Sequence, residues 1–369
     1  MKVGILTCHA AYNYGSVLQA YALQEAVRSL GYDCELIDYR PFWFDFYHVF
    51  FWENPFGRGA RGFCKILAKN IYRLACLPVR VKRKRKFEAF FKKYYHMSKW
   101  SGRDLSCLPS DYDVYVVGSD QVWNPVIFGD SLACYMGQFR RKASGRLIGY
   151  AISAGAGEKL LDYRWAHSMQ SFDSLSVREE SLQSLVKRLC GFDVPLVLDP
   201  TLLVGRDFWL AMSQELRERD YVLLYMVYPS HAAVRLARRR AKELSCRVRV
   251  ISSGAGIMRC SRIRQDGPND FVNLFRNAKS VVTTSFHGMV FSILFERQFY
   301  YVRSNPAGEN RQQTLLSIIG LGDRIINGAT PPDWGLIDYA SVRERLKTFR
   351  TESRDFLESA LCATGEKAR

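Results

Sequence analysis

The 369-residue sequence lacks the long apolar runs, paired cysteines and glycine-rich fingerprints that identify several common classes of protein. No stretch approaches the ~20 apolar residues that a helix needs to cross a bilayer. Its ten cysteines are scattered, with no CxxC pair and no Cys/His spacing suited to zinc, so no metal site is predicted. The short apolar run at Val3–Leu6 soon becomes polar and does not resemble a secretory signal. We therefore expect a cytoplasmic protein without a bound metal.

Acidic residues are scarce in one segment of the chain. The formal net charge is +17, and thirteen Lys or Arg but only one acid, Glu88, lie between Arg61 and Trp100. Just upstream, residues 42–52 (FWFDFYHVFFW) are almost entirely aromatic. This composition predicts an aromatic and basic insertion over about 42–100. Because the charge is confined to one segment and no nucleic-acid-binding motif accompanies it, we do not expect nucleic acid as a partner.

Strand and helix patterns alternate along the sequence, which predicts an α/β protein. In the first half, the expected helix is Ser16–Leu30 and the expected strands are Lys2–Thr7, Cys34–Tyr39, Asp113–Val117, Leu147–Ile152, Leu175–Val177 and Leu196–Leu198. After Pro200 the pattern restarts with helices at His231–Leu244, Asn269–Asn277 and Phe286–Glu296 and strands at Tyr221–Tyr228, Arg247–Ser252, Ser280–Thr283 and Phe299–Val302. Each series predicts a parallel sheet covered by helices on both faces.

The restart predicts two Rossmann-like domains facing a cleft, an arrangement that we describe as GT-B-like. The N-terminal Rossmann-like domain is expected over 1–204, including the insertion, and the C-terminal one over 205–340. Residues 341–369 are expected to form a C-terminal helix and tail, and the helix could pack back on the first domain.

Two polar motifs follow strands of the first predicted sheet, where open α/β sheets bind ligands. The first is Asn13-Tyr14-Gly15-Ser16, which either lines a site or is only a turn and helix cap. The second is the loop Gly118–Pro125. Its Asp and amide side chains could bind sugar hydroxyls while its indole covers the apolar face of a sugar ring. Alternatively, it is a capped loop around one buried Trp.

Three further motifs could bind an anion. Arg178 begins a helix after a strand, where it could hold a carboxylate or phosphate, or form an ordinary salt bridge with Glu179 or Glu180. Asp199 ends the next strand and either marks the exit from the domain or faces the cleft. The motif Thr283–Gly288 combines hydroxyls, a helix N-terminus and His287, which could transfer a proton or be structural. Arg311, which follows Asn310 at the start of another helix, could add a second positive charge or be exposed.

Together these motifs carry a resemblance to a known family. NYGSVLQAYAL, GYDCELIDYRP, YDVYVVGSDQVWNP, SVREES, VLDPTLL, TTSFHG and ENRQQTLLSIIGLGDR occur in the order and rough spacing of polysaccharide pyruvyl transferases, from Lys2 to about Arg324. The resemblance implies a GT-B-like fold and a pyruvyl group transferred from phosphoenolpyruvate, without a cofactor, to hydroxyls of a sugar. The product would be a ketal on a precursor of a capsule, exopolysaccharide or cell wall.

Combined with the motifs, the resemblance predicts a role for each site residue. The catalytic residues are His287 and Asp120. The donor is expected mainly on the C-terminal domain. Its expected binding residues are Arg178, which belongs to the N-terminal domain, and Ser285, His287, Gly288, Asn310 and Arg311. The acceptor is expected on the N-terminal domain, at Asn13, Tyr14, Gly15, Ser119, Asp120, Gln121, Trp123 and Asn124. One departure from the family pattern concerns Phe286, because family members often carry Arg immediately or closely before the His-Gly pair. Arg311 or Arg178 must then compensate, or the donor differs.

Two other functions fit the same scaffold. One is a nucleotide-sugar glycosyltransferase, and the other is a noncatalytic sugar-binding protein. The insertion also has two interpretations. An apolar stripe lies opposite basic residues at helical spacing, so segment 42–97 could rest on the anionic inner face of the membrane and bring the enzyme to a lipid-linked oligosaccharide. Alternatively, this helix packs into the core and a solvated basic run follows it; the stripe consists of Phe63, Ile66, Leu67, Ile71 and Leu74.

Overall fold

The structure is a computed structural model that describes residues 1–41, 59–104, 106, 108, 111–252, 266–303, 310–328 and 335–363. Residues 42–58 of the expected aromatic and basic insertion lie outside these ranges. The chain contains two parallel β-sheets with helices between their strands. This confirms the expected α/β class and the GT-B-like plan of two Rossmann-like domains.

The first sheet has six parallel strands in the order β3-β2-β1-β4-β5-β6. Their bounds are β1 Lys2–Leu6, β2 Asp33–Tyr39, β3 Met97–Gly102, β4 Val114–Asp120, β5 Arg146–Ile152 and β6 Ser174–Val177. The central strand β4 is buried along its whole length, which explains its continuous apolar run up to Gly118. Two details differ from the sequence prediction. The edge strand β3 was not foreseen, and Leu196 forms only an isolated bridge with Val177.

Helices connect these strands and cover the sheet. They are α1 Tyr14–Ser29, α2 Gly59–Ala75, α3 Leu77–Tyr94, α4 Pro125–Phe128, α5 Leu132–Tyr135, α6 Ala166–Gln170 and α7 Glu180–Cys190. Helix α1 begins after Asn13, whose side-chain oxygen accepts from the Gly15 backbone N–H, and it is buried along most of its length. Helix α1 therefore lies in the interior, and its N-terminus is held at the carboxyl ends of the strands.

The second sheet has five parallel strands in the order β11-β10-β9-β7-β8. These strands are β7 Tyr221–Met226, β8 Arg247–Ser252, β9 Ser280–Thr283, β10 Gln298–Val302 and β11 Ile325–Ile326. The helices of this half are α8 Pro200–Leu203, α9 Gly205–Met212, α10 His231–Glu243, α11 Pro268–Asn277, α12 Phe286–Leu294 and α13 Asn310–Ile318. The apolar residues of α12 are all buried because this helix lies between the second sheet and the first half of the chain.

The last helix, α14 Tyr339–Cys362, contacts both halves of the molecule. Near its start, the Tyr339 hydroxyl donates to the backbone oxygen of Arg297. Further along, the Ser353 hydroxyl accepts from the backbone N–H of Leu198, and the backbone oxygen of Ala360 accepts from Arg146 at 2.7 Å. The expected C-terminal helix therefore does pack back on the first sheet, and it also covers part of the second.

A continuous hydrophobic cluster joins the two sheets. At its centre Tyr14 stacks on Phe271 with ring centroids 4.8 Å apart, and its hydroxyl donates to the backbone oxygen of Asp266 at 2.9 Å. Helix α3 adds an ion pair across the same boundary, between Lys86 and Asp270 at 2.7 Å. Aromatic packing thus holds α1 against α11, and the ion pair holds α3 against the same helix. Within the described ranges, no helix is both long and apolar enough to cross a membrane.

Candidate functional site

A pocket lies between the two sheets, at the carboxyl ends of their central strands, where ligands bind in open α/β folds. It encloses about 100 Å³. Its walls come from the loops after β1, β4, β5, β7, β9 and β10 and consist of Asn13, Asp120, Gln121, Ala156, Val227, Tyr228, Thr284, Ser285, Phe286, His287, Tyr301, Arg311 and Gln312. Polar groups of both domains therefore meet in one small space.

Asp120, the last residue of β4, contacts side chains from several elements around this pocket. Its backbone has a left-handed φ of 68°, which turns the chain as it leaves the strand. One carboxylate oxygen accepts from Ser16 at 2.9 Å. The other accepts from Arg178 at 3.1 Å and lies 3.4 Å from Arg311. Asp120 thus connects the start of α1 with arginines from both halves of the chain.

Arg178 and Asp199 form a buried ion pair beside Asp120. The guanidinium group donates to Asp199 and Asp120, so neither Glu179 nor Glu180 is its partner as the salt-bridge interpretation expected. Asp199 caps α8, and its second oxygen accepts from the backbone N–H and the hydroxyl of Thr201 at 3.0 and 2.6 Å. Both side chains are almost completely buried. Asp199 therefore pairs with Arg178 and faces His287 from behind the pocket, whose lining does not include it.

His287 stands in the first turn of α12, which begins after Ser285; the Ser285 hydroxyl accepts from the backbone N–H of Gly288 at 3.4 Å. The imidazole is 6% exposed, and its Nε2 lies 3.5 Å from the Asp199 carboxylate without a hydrogen-bond partner. The opposite side of the ring contacts Gly15, where a Cβ atom would approach Nδ1 to 2.0 Å. The ring is therefore confined between the two domains, with Nδ1 against Gly15 and Nε2 facing the Asp199 carboxylate.

Phe286 is the residue at which the sequence departs from the family pattern. Its ring is 3% exposed and lines the pocket. The guanidinium carbons of Arg178 and Arg311 lie 4.7 and 5.1 Å from the ring centroid, within the range of cation–π interactions. Two arginines from other elements thus lie against the Phe286 ring.

Arg311 reaches the pocket from the first turn of α13. Besides Asp120, it contacts the side-chain amide of Gln121, which lies 2.8 Å from its Nη2 and accepts when the amide oxygen faces the guanidinium group. Its Nε is buried without a hydrogen-bond partner. The side chain is 13% exposed, compared with 3% for Arg178, so Arg311 is the more accessible of the two cations.

The charged side chains in and beside the pocket shift the pKa values of one another. Burial alone would raise the pKa of Asp120 and of Asp199, but the neighbouring positive charges outweigh it and hold both pKa values below their usual range. For Arg178, the two carboxylates overcome burial and raise its pKa. Burial and the charge of Arg178 instead lower the pKa of Arg311. Two carboxylates and two guanidinium groups consequently balance one another before any ligand is present.

Four expected acceptor residues are buried in the structure. The indole of Trp123 is fully buried, donates to the backbone oxygen of Tyr135 at 3.0 Å and packs on Phe172, so it exposes no face to a sugar. Tyr14 lies in the aromatic cluster between the sheets. Ser119 bonds to Gln19 in the interior, and Asn124 caps α4.

These four positions therefore correspond to the alternatives of a turn and a capped loop. Only Asn13, Asp120 and Gln121 of the expected acceptor set line the pocket, while Gly15 backs His287. In the expected donor set, Asn310 points away from the pocket lining and donates to Ser181 at 2.9 Å. Gly288 is required for packing, because a Cβ there would lie 2.2 Å from the Thr283 hydroxyl.

Several pocket residues were not expected from the sequence. Gln312 follows Arg311, is buried and donates to the hydroxyl of Tyr301 at 3.0 Å. Tyr228, which is 51% exposed, presents a ring at the rim. Glu179 supports the adjacent loop, since one of its oxygens accepts from the Ser153 hydroxyl and from the backbone N–H groups of Ala154 and Gly155. The strand-end location was the available signal for Glu179 and Tyr228, whereas Gln312 had none. Among the residues that the structure describes, no His, Cys, Asp and Glu cluster could hold a metal ion.

A family model for polysaccharide pyruvyl transferases matches residues 13–306 of the chain. This range covers most of the protein and includes the loops that carry Asp120, Arg178 and His287. The chain therefore belongs to the polysaccharide pyruvyl transferase family, which is a family of transferases. A comparison with curated proteins finds no match.

Several solved structures are similar to the chain over nearly its full length. A UDP-GlcNAc 2-epimerase from Methanocaldococcus jannaschii is 11% identical, with a TM-score of 0.45, over 96% of this chain and 94% of the epimerase. A putative UDP-N-acetylglucosamine 2-epimerase from Listeria monocytogenes is 9% identical, with a TM-score of 0.47, over 99% and 97%. A spinosyn rhamnosyltransferase is 12% identical, with a TM-score of 0.38, over 100% and 98%.

Proposed function

We propose that the protein transfers the pyruvyl group of phosphoenolpyruvate to two hydroxyls of one sugar in a polysaccharide precursor and forms a ketal. The observation that carries this proposal is that His287 and Arg311 line one small pocket at a helix N-terminus. A compact anion suits such a pocket, because backbone N–H groups and a guanidinium fork both bind carboxylate and phosphate oxygens.

The size of the pocket that the described residues form is compatible with a small donor. Sites for larger ligands usually enclose roughly 300–1,000 Å³, whereas the described walls enclose about 100 Å³ here. A three-carbon enol phosphate needs little space beyond its own oxygens.

The proposed reaction begins with the donor bound near Arg311 and the first turn of α12. A proton is added to the methylene carbon, and the central carbon becomes electrophilic. A sugar hydroxyl attacks that carbon and releases its proton, the carbon–oxygen bond to phosphate breaks, and a second hydroxyl of the same sugar closes the ketal and releases its proton. The products are the ketal and inorganic phosphate, and the protons balance without another reactant. In this proposal His287 moves the proton at the methylene carbon.

Asp199 is proposed to position His287 for this step. Its carboxylate stays ionised because positive neighbours hold its pKa low, and it lies 3.5 Å from Nε2. A fixed carboxylate at this distance can hold the orientation of the imidazole ring. Arg178 in turn holds Asp199 and Asp120, so we assign it mainly to the support of these carboxylates.

The acceptor is proposed to enter over the rim formed by Asn13, Gln121 and Tyr228. The two amides can bond sugar hydroxyls, and the half-exposed ring of Tyr228 provides the apolar surface that was expected of Trp123. Asp120 lies directly beneath this rim and can hold or activate a hydroxyl. The acceptor site would then include one residue of the second domain.

The proposal is tested by incubating the purified protein with phosphoenolpyruvate and a panel of sugar acceptors while phosphate release is measured. We expect His287→Gln to lower turnover by ~10²–10⁴-fold, the usual contribution of acid–base catalysis, while bound phosphoenolpyruvate remains detectable by calorimetry. His231→Gln, an exposed histidine at the start of α10, is the matched control. Retention of most activity by His287→Gln would remove His287 from the mechanism. Binding of UDP- or GDP-sugars that displaces phosphoenolpyruvate would instead favour a glycosyltransferase, and donor binding without phosphate release a noncatalytic protein.

A further inference from the structure

Helix α2 exposes apolar side chains that a core-packed helix would bury. Ile66 is 7% exposed and faces the interior, but Ile71 and Leu74 are 57% and 45% exposed. They lie three residues apart, so they share one side of the helix. Lys65 and Lys69 are also exposed, but helical spacing places them on the opposite side of α2 from this apolar surface. The structure therefore contradicts the core-packed interpretation for the C-terminal half of the expected stripe.

Helix α3, which follows directly, supplies many more positive charges. Two of its lysines have acidic partners, as Lys84 lies 3.5 Å from Glu88 and Lys86 lies 2.7 Å from Asp270. Among the described residues, no acid lies within ion-pair distance of its exposed basic residues Lys82, Arg85 and Lys92. In the part of the chain that the structure describes, Lys82, Arg85 and Lys92 of α3 thus present positive charge without an acidic partner, and the preceding helix α2 exposes Ile71 and Leu74.

This pair of helices is connected to the candidate site. On α3, Arg83 donates to the backbone oxygen of Tyr12 at 3.0 Å and lies 4.9 Å from the centroid of the Tyr14 ring. Asn13, between these two residues, lines the pocket. Helix α3 therefore packs directly against the loop that contributes Asn13 to the pocket.

We propose that α2 and α3 dock the protein on an anionic lipid bilayer as a peripheral contact. Exposed apolar side chains can insert among the acyl chains near the headgroups while Lys and Arg attract anionic lipids, and stable peripheral binding usually needs both contributions. Charge complementarity favours a bilayer over an uncharged protein partner, and the exposed Ile71 and Leu74 favour it over nucleic acid, which has no apolar surface to cover them.

The proposal extends the proposed function, since an acceptor carried on a lipid would be presented next to the pocket. Presentation of such an acceptor rests on the proposed pyruvyl transfer, but the docking itself does not. Bilayer binding can therefore be measured without donor or acceptor, and its failure would leave the assay of phosphate release with a soluble acceptor unaffected.

The test is flotation of the full-length protein with phosphatidylcholine vesicles that contain or lack phosphatidylglycerol. We expect binding only to the anionic vesicles. The double variants Ile71→Ser/Leu74→Ser and Lys82→Glu/Arg85→Glu should each reduce the bound fraction by roughly tenfold, because each removes one of the two contributions. Turnover with a soluble sugar acceptor should stay unchanged in both.

Matched controls come from surfaces far from α2 in the sequence. Leu160→Ser removes a leucine that is 55% exposed, and Arg235→Glu/Arg238→Glu reverses two exposed arginines on α10. Both should float like the unchanged protein. The proposal would be overturned if the protein bound neutral and anionic vesicles equally, or if the control variants lost as much bound fraction as the test variants. It would also be overturned if Ile71→Ser/Leu74→Ser bound anionic vesicles as fully as the wild-type protein. The last result would indicate a purely electrostatic surface of the kind that nucleic acids bind.

Discussion

Gly15 at the start of α1 and His287 at the start of α12 touch across the boundary between the two domains. A Cβ atom on residue 15 would come within 2.0 Å of the imidazole Nδ1, which is far closer than atoms can approach. The glycine is therefore a condition for the observed position of the histidine. Helix α1 packs with the first sheet and α12 with the second. The contact therefore also fixes how closely the N-termini of these two helices approach each other.

Gly15→Ala should displace His287 or separate the two helix ends. We expect turnover to fall by on the order of 10²-fold, the scale associated with misplacement of a reacting group by about 1 Å. Gly322→Ala is the matched control, since a Cβ there meets nothing within 4 Å. Phosphate release and thermal melting should be measured together. Near-normal turnover in Gly15→Ala would show that the contact between these residues is not needed for catalysis.

The Asp199 carboxylate should contribute to the dependence of the free energy of unfolding on pH. Its pKa is lower in the folded protein than its unfolded value of about 3.9, so its stabilising contribution is complete above about pH 4 and is lost as the pH falls through the folded pKa. Asp199→Asn leaves Arg178 buried with one partner fewer. We expect it to lower the free energy of unfolding at pH 7 by ~3–5 kcal/mol, the cost of breaking a buried ion pair.

Denaturant titrations between pH 7 and pH 3 check this prediction. The free energies of unfolding of the wild-type protein and Asp199→Asn should become more similar as the pH falls below about 4. The ionised Asp199 carboxylate then begins to lose its stabilising contribution to the folded state. Asp193→Asn is the control, as this carboxylate is exposed and pairs with Lys187 at the surface; it should change stability by ~0–1 kcal/mol. A constant difference across the pH range would contradict the assigned role of Asp199.

Arg311→Lys should separate charge from geometry in the pocket. The substitution keeps one positive charge but removes the planar fork that can bind two oxygens at once. We expect the affinity for phosphoenolpyruvate, measured by calorimetry, to fall by roughly tenfold or more, with a smaller effect on the protein fold because Arg178 still pairs with Asp120. Arg235→Lys on the exposed face of α10 serves as the control. Equal affinities in all three proteins would exclude Arg311 from donor binding.

The sequence predicted the sheets better than the partners of the side chains. Buried parallel strands such as β4 and β7 consist of continuous apolar residues, so the chain alone indicated where they lie. Strand β3 was missed because Met97–Gly102 lies at a sheet edge, where only some residues are buried and the apolar pattern is weak.

In the candidate site, too, the sequence predicted the positions of residues better than the partners of their side chains. The strand-end positions of Asp120 and His287 followed from the order of strands and helices, and the structure brings both into one pocket. The pairing of Arg178 with Asp199 is different, since the two residues are separated by 21 positions and only the fold brings them together. Trp123 illustrates the limit most clearly, because its residue type suits both sugar binding and a buried core, and only its burial distinguishes the two.

Helix α14 has a consequence for any attempt to study the domains separately. It is 24 residues long, about 36 Å of continuous helix, and it contacts Arg297 of one half and Leu198 of the other. A fragment that ends before Tyr339 would uncover apolar surface on both halves at once. The chain should therefore unfold as one cooperative unit, and a protease cut just ahead of α14 should destabilise the first domain even though that domain is far away in sequence.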